Sequence, residues 1–165
     1  MPALEAGVRA PQFSLPTVTG GTVSLTDELK KGPVLLAFFK VGCPVCQYAF
    51  PFYERMYQAN RNSGVSFIGI SQDNAKDTKA FMKEFGVTFP VGLDDPAHYA
   101  VSNAYGLTNV PTLFYIDASG EIEISSVSWS KADVEAINQK LADRRRQAPA
   151  VLWRKGDDVR DFRAG

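Results

Sequence analysis

Hydrophobic residues fall in short runs punctuated by Gly, Pro and Asp, and the period of each run predicts an element. Pro33 opens the unbroken apolar stretch Val34-Leu35-Leu36-Ala37-Phe38-Phe39, the pattern of a central strand covered on both faces. Upstream, Pro11-Gln12-Phe13-Ser14-Leu15-Pro16 alternates, and Gly20-Gly21 leads into Thr22-Val23-Ser24-Leu25, so a short N-terminal hairpin is predicted. Downstream, Phe50, Tyr53, Met56 and Tyr57 recur at helical spacing, predicting an amphipathic helix that runs to about Asn62 and is kinked at Pro51. Residues 65–71 read as a second strand and residues 75–85 as a helix stopped by Gly86. That alternation predicts a crossover joining two parallel strands.

A short strand at 90–93 is followed by Asp95-Pro96, read as the N-cap and first turn of a helix ending near Gly106. Residues 112–116 and 121–127 flank Asp117-Ala118-Ser119-Gly120, a hairpin turn. The final helix starts at Ser130, with Asp133 as a capping-box variant, and buries Val134, Ile137 and Leu141. The whole reads as an α/β chain with one domain over residues 1–145, followed by an extended tail over 146–165. From Arg144 onward seven Lys or Arg stand against three Asp, which predicts a segment with little structure of its own. Val151-Leu152-Trp153 is the exception: an apolar triplet favours docking over water.

Composition narrows the function classes. The net charge of +0 gives no reason for a nucleic-acid partner, and no stretch is apolar and long enough to predict a membrane span. The first ten residues carry Glu5 and Arg9 and lack a signal-peptide core, so a cytoplasmic location is expected. Oligomeric state is open. No cofactor or metal is expected: the lone His98 and the 2 cysteines fall short of a structural zinc set.

The 2 cysteines are the candidate chemistry. Cys43-Pro44-Val45-Cys46 follows the central strand, and a helix starting at Pro44 puts both sulfurs at its first turn. Unpaired backbone N–H groups there favour a thiolate and are expected to lower the pKa of Cys43. Cys43 then attacks a disulfide and Cys46 resolves the mixed disulfide. A static disulfide, half a metal site and a pair of inert buried thiols are the alternatives. In a reducing compartment a cycling pair is favoured over a static one.

The layout resembles the thioredoxin-like superfamily, and within it the redoxin branch that holds TlpA/ResA-type thiol-disulfide oxidoreductases and the AhpC/TSA group. Four segments carry the resemblance: residues 10–15, Cys43-Pro44-Val45-Cys46 with Pro51, Gly86-Val87-Thr88-Phe89-Pro90-Val91, and Val110-Pro111-Thr112. It implies a thioredoxin fold with an N-terminal β-hairpin and a crossover insertion, a central mixed sheet and flanking helices. It also implies a cis Pro111 facing the cysteines and a Val110 whose main chain pairs with a bound peptide. Pro111, Val110, Pro44 and Gly42 would then line the substrate groove. Expected partners are protein or small-molecule disulfides and thiols, with an electron partner of thioredoxin or glutathione type.

The chain departs from that pattern in places. Gly42 stands where thioredoxins carry Trp, and the two positions where relatives place a buried acid are Ala37 and Ala49. Lys40 is the remaining nearby group able to tune the thiol, the alternative being a solvated strand-end lysine. In the peroxiredoxin signature, Phe39 falls where proline is required and Cys43 where threonine or serine is. Peroxide reduction is therefore the lesser reading, alongside a redox-inert interaction module.

Overall fold

The computed structural model describes residues 2–165. The chain opens with the hairpin β1 (Ser14–Pro16) and β2 (Thr22–Ser24), paired Leu15 to Val23. A short helix, α1 (Leu25–Leu29), follows; the hydrophobic pattern did not announce it. Its start is fixed by Ser24, whose hydroxyl accepts the Asp27 N–H at 3.2 Å. Then come β3 (Val34–Phe39), α2 (Pro44–Ala59), β4 (Ser66–Ser71), α3 (Ala75–Phe85), β5 (Val91–Leu93), α4 (Ala100–Ala104), β6 (Thr112–Ile116), β7 (Ile122–Val127), β8 (Trp129–Ser130), α5 (Lys131–Arg145) and β9 (Phe162–Arg163).

The central sheet has the order β5-β4-β3-β6-β7. β3, β4 and β5 are parallel, and β6 and β7 run antiparallel to their neighbours, so the sheet is mixed. β3 lies in the middle, and its six residues are all buried, as the unbroken apolar run predicted. Strand alternation divides the core in two. Leu35, Ala37 and Phe39 face α2, α3 and α5. Val34, Leu36 and Phe38 face the N-terminal segment and Tyr105 beside α4. Among the described residues no helix is long and apolar enough to cross a membrane.

Three local expectations are corrected. α2 passes through Pro51 without a break and stops at Ala59, not near Asn62; the Asn60 amide donates to the Met56 carbonyl at 2.7 Å and closes the last turn. Asp95-Pro96 opens a turn instead of a helix. The Asp95 carboxylate accepts the Ala97 N–H at 2.9 Å, and Tyr99 takes a left-handed conformation before α4 begins at Ala100. The start of α4 is held by buried Asp94, which accepts the N–H of Val101 and of Ser102.

The third correction concerns residues 146–165, read as having little structure of their own: they are docked along much of their length, and of the apolar triplet expected to dock, Leu152 and Trp153 do so while Val151 stays 85 % exposed. Leu152 is 3 % exposed in the α2–α5 core, and Trp153 packs edge-on to Phe52 and Trp129. Arg55 of α2 clasps Asp157 at 2.6 Å and also donates to the Leu152 carbonyl. The segment's polarity suggested a solvated end, but its charges found partners on α2, which a reading by composition does not see.

Two outcomes follow. Leu152→Ala is expected to lower unfolding free energy by about 2–5 kcal/mol in denaturant titrations, the loss of a buried leucine plus its cavity. Hydrogen bonding to Arg55 holds the Asp157 carboxyl down to about 2 from the ordinary 3.8. A depressed carboxylate stabilises the fold above its unfolded value, and that contribution is lost as pH falls through the folded one. The melting-temperature gap between the wild type and Asp157→Asn is therefore expected to be full at pH 5 and to close towards pH 2, pH values set about the ordinary and depressed carboxylate ranges.

Candidate active site

The site forms where the C-terminal end of β3 hands the chain to α2, beside the C-terminal end of β4. In a parallel sheet that rim is where loops diverge and leave a crevice. Cys43 is the N-cap of α2, with an extended backbone, and Pro44 occupies the first helical position. The Cys43 sulfur takes the place of a capping oxygen and accepts the Cys46 N–H at 3.2 Å. Cys43 is half-buried and Cys46 is 0 % exposed, one turn behind it in the core. Both are free thiols.

Val110-Pro111 is a cis peptide, and its loop faces the helix start. The Cys43 thiol donates to the Val110 carbonyl at 3.4 Å, joining positions 67 residues apart. Pro44 and Gly42 are exposed on the rim around this contact. Lys40 contributes main chain to the site: its carbonyl accepts the Cys43 N–H at 3.2 Å. Its ammonium lies over the Tyr99 ring at 5.6 Å. His98 is exposed in the turn before α4.

Burial pushes the Cys46 thiol well above the ordinary range, with the Cys43 side-chain contact adding to the rise and a main-chain hydrogen bond at Lys40 opposing it. Ala37 and Ala49 are both buried, so the positions where relatives carry an acid are filled by methyl groups. Asp73, just past β4, adds a further upward push on Cys46. It also accepts the Val41 N–H at 2.8 Å, while the Gln47 amide donates to the Val41 carbonyl at 2.9 Å. These two side chains pin the loop between β3 and α2.

Sequence reasoning passed over Asp73, Gln47 and Tyr53. Asp73 had a usable signal, since residues just past the ends of adjacent parallel strands share one rim. Tyr53 had a weaker one: it lies on the same face of α2 as Cys46 and Ala49. Its hydroxyl is buried without a hydrogen-bond partner among the described residues, and burial, followed by both cysteines, pushes it well up. Among the described residues no group of three His, Cys, Asp or Glu side chains gathers to hold a metal ion.

A comparison with known families assigns this arrangement. The AhpC/TSA family profile matches residues 6–125. The chain belongs to the AhpC/TSA family. Among curated relatives, the thiol-disulfide oxidoreductase ResA of Geobacillus thermodenitrificans is 32 % identical over 135 residues, covering 81 % of this chain and 76 % of the relative. ResA of Bacillus subtilis is 32 % identical over 121 residues, covering 73 % of this chain and 66 % of that one. Among solved structures, a thiol:disulfide interchange protein of the thioredoxin family from Chlorobium tepidum superposes with a TM-score of 0.68 at 30 % identity, covering 86 % of this chain and 99 % of its own. The thioredoxin domain of a thiol-disulfide oxidoreductase from Bacteroides vulgatus gives 0.75 at 25 % identity, covering 84 % and 98 %.

This AhpC/TSA member therefore has the thioredoxin fold and is a thiol-disulfide oxidoreductase. The peroxiredoxin alternative is not favoured. In that alternative the reactive sulfur would be Cys46, and Cys46 is wholly buried. Limiting iodoacetamide followed by mass spectrometry is expected to modify Cys43 well before Cys46; first labelling at Cys46 would reverse the order of exposure described here.

Proposed function

We propose that Cys43 is the attacking thiol and Cys46 the resolving thiol in exchange with protein or small-molecule disulfides. The observation that carries this assignment is the partly buried Cys43 whose sulfur faces the Cys46 N–H at the helix start, with the Cys46 sulfur sealed behind it. Only the thiolate is nucleophilic, so the Cys43 proton must leave before attack. The Cys43 thiolate then bonds to one sulfur of the substrate disulfide, and the substrate S–S bond breaks to release one thiolate. Cys46 loses its proton and attacks the Cys43 sulfur; the mixed disulfide breaks and the second substrate thiolate departs. Substrate gains two electrons and two protons, and the dithiol becomes a disulfide. An electron partner of thioredoxin or glutathione type would return the pair to the dithiol. A reducing compartment such as the cytoplasm suits a pair that cycles.

Val110 and Pro111 shape the approach. The Val110 carbonyl is the main-chain acceptor that the Cys43 thiol donates to, and the Val110 N–H has no partner among the described residues. An extended peptide can therefore add alongside Val110 by main-chain pairing while presenting its disulfide to Cys43. Gly42 and Pro44 leave the rim open for this.

Resolution is the step set by the neighbourhood of Cys46. Its raised pKa keeps it protonated at neutral pH, and Ala37 and Ala49 offer no carboxylate to draw that proton away. Cys46→Ser is expected to trap the mixed disulfide and Cys43→Ser to abolish exchange. In the wild type, single-turnover resolution is expected to accelerate as pH rises from about 6 to 9, approaching tenfold per unit while the thiolate is scarce. Ala49→Glu is expected to flatten that slope. A fast rate independent of pH would show that another group removes the Cys46 proton.

A further inference from the structure

The docked C-terminal segment ends on the surface just assigned to substrate. From Asp157, held by Arg55, the chain passes Tyr48 near the start of α2. The Tyr48 hydroxyl donates to the Asp158 carbonyl and meets the Arg160 N–H, each at 2.7 Å. The Trp129 indole donates to the Arg160 carbonyl at 2.6 Å. β9 pairs antiparallel with β8, Arg163 opposite Trp129 and Phe162 opposite Ser130. The Arg163 guanidinium lies over the Tyr48 ring at 4.6 Å.

The segment then reaches the Val110-Pro111 loop. The Gly165 N–H donates to the Ser128 hydroxyl at 3.0 Å, and the Asn109 amide donates to the Gly165 carbonyl at 2.9 Å. Gly165 lies so close that a Cβ built on it would land on the Val110 carbonyl oxygen and within 3.2 Å of Pro111 Cδ. That oxygen is the one that accepts the Cys43 thiol. Residues 162–165 therefore crowd the same main-chain edge that a peptide must use.

The attachment is graded. Leu152 and the Arg55–Asp157 pair are buried or partly buried anchors. Beyond them Phe162 is 61 % exposed, Arg163 is partly buried over Tyr48, Ala164 and Gly165 are exposed, and residues 162–165 are held by the short β8–β9 pairing and two side-chain hydrogen bonds at Gly165. Exposed hydrogen bonds with little apolar burial open at low free energy. Residues 162–165 can therefore lift while Leu152 and Asp157 stay docked.

Building on the assignment of Cys43 and Val110 above, we propose that residues 162–165 are an internal competitor for the Val110 edge, displaced when an extended peptide disulfide binds. The partner this surface fits is thus an unfolded or extended cysteine-bearing segment. A small disulfide needs only the partly exposed Cys43 and reacts with the segment in place. Tethering gives the competitor a high local concentration, and the apparent affinity for peptide is reduced by the fraction of molecules in which the edge is open.

The test compares two substrates of the full-length protein: an extended peptide closed by one disulfide, and hydroxyethyl disulfide. Gly165→Val places side-chain atoms on the Val110 carbonyl and prevents docking of the end. It is expected to lower KM for the peptide about tenfold, the tax of a mostly closed edge, with turnover of hydroxyethyl disulfide changed less than about twofold. Deletion of residues 162–165 gives the same pattern by a second route, and an unchanged melting temperature shows that the fold is intact. Peptide kinetics that stay unchanged in both variants, or a rise in KM, overturn the competitor. Equal acceleration of both substrates also overturns it, because the segment would then simply cover Cys43. A wild type that turns over neither substrate overturns the assignment of Cys43 on which the proposal stands.

Discussion

The sulfur of Cys43 caps α2, and the geometry of the site depends on that single contact. A helix start leaves N–H groups unpaired, and usually a hydroxyl or carboxylate satisfies one of them. Here the Cys46 N–H points at the Cys43 sulfur, so the group that closes the helix is also the thiol proposed to attack. The cap cannot shift without moving the Cys43 sulfur. Everything nearby serves to hold it: β3 delivers the chain from the centre of the sheet, Pro44 presets the first helical turn, and Asp73 and Gln47 clamp Val41 from two sides.

The same helix start separates the two thiols by environment. Cys43 lies partly exposed at the rim, and Cys46 lies in the aromatic core with Phe50 and Tyr53 as neighbours on the helix face. Burial disfavours the charged form, which is why the inner thiol is pushed up. The methyl groups of Ala37 and Ala49 sharpen the contrast, because they fill the space of an acid without offering a proton acceptor. The result is a tightly packed, apolar surround for Cys46.

A second constraint ties the C-terminal segment to this region. Trp129 is fully buried and packs against Tyr48, Phe52, Tyr53 and Trp153, four aromatic rings drawn from α2 and the tail. Aromatic pairs of this kind add to simple area burial. They bring residues more than one hundred positions apart onto one face, and they carry the chain end towards Val110. The segment is packed at Leu152 and held at Gly165 by two side-chain hydrogen bonds where it meets the site.

The sequence by itself determined the elements with strong local signals: the unbroken run of β3, the period of α2 and α3, the Ser130 cap of α5, Gly86 as the stop of α3, and the paired cysteines at a strand-to-helix junction. These are decided by side chains within a few residues of one another, so they are legible in order along the chain. Tertiary structure alone decided what depends on distant partners. α1 and the short α4 follow caps and buried contacts, not period; Asp95 closes a turn where a helix was expected. The Val110 carbonyl meets Cys43, Asp73 meets Val41, and the polar tail finds Arg55 and Tyr48, because packing brings together groups whose separation in sequence carries no trace of their contact. Local propensity fixes an element; burial and hydrogen-bond satisfaction across the fold fix where it ends and what it touches.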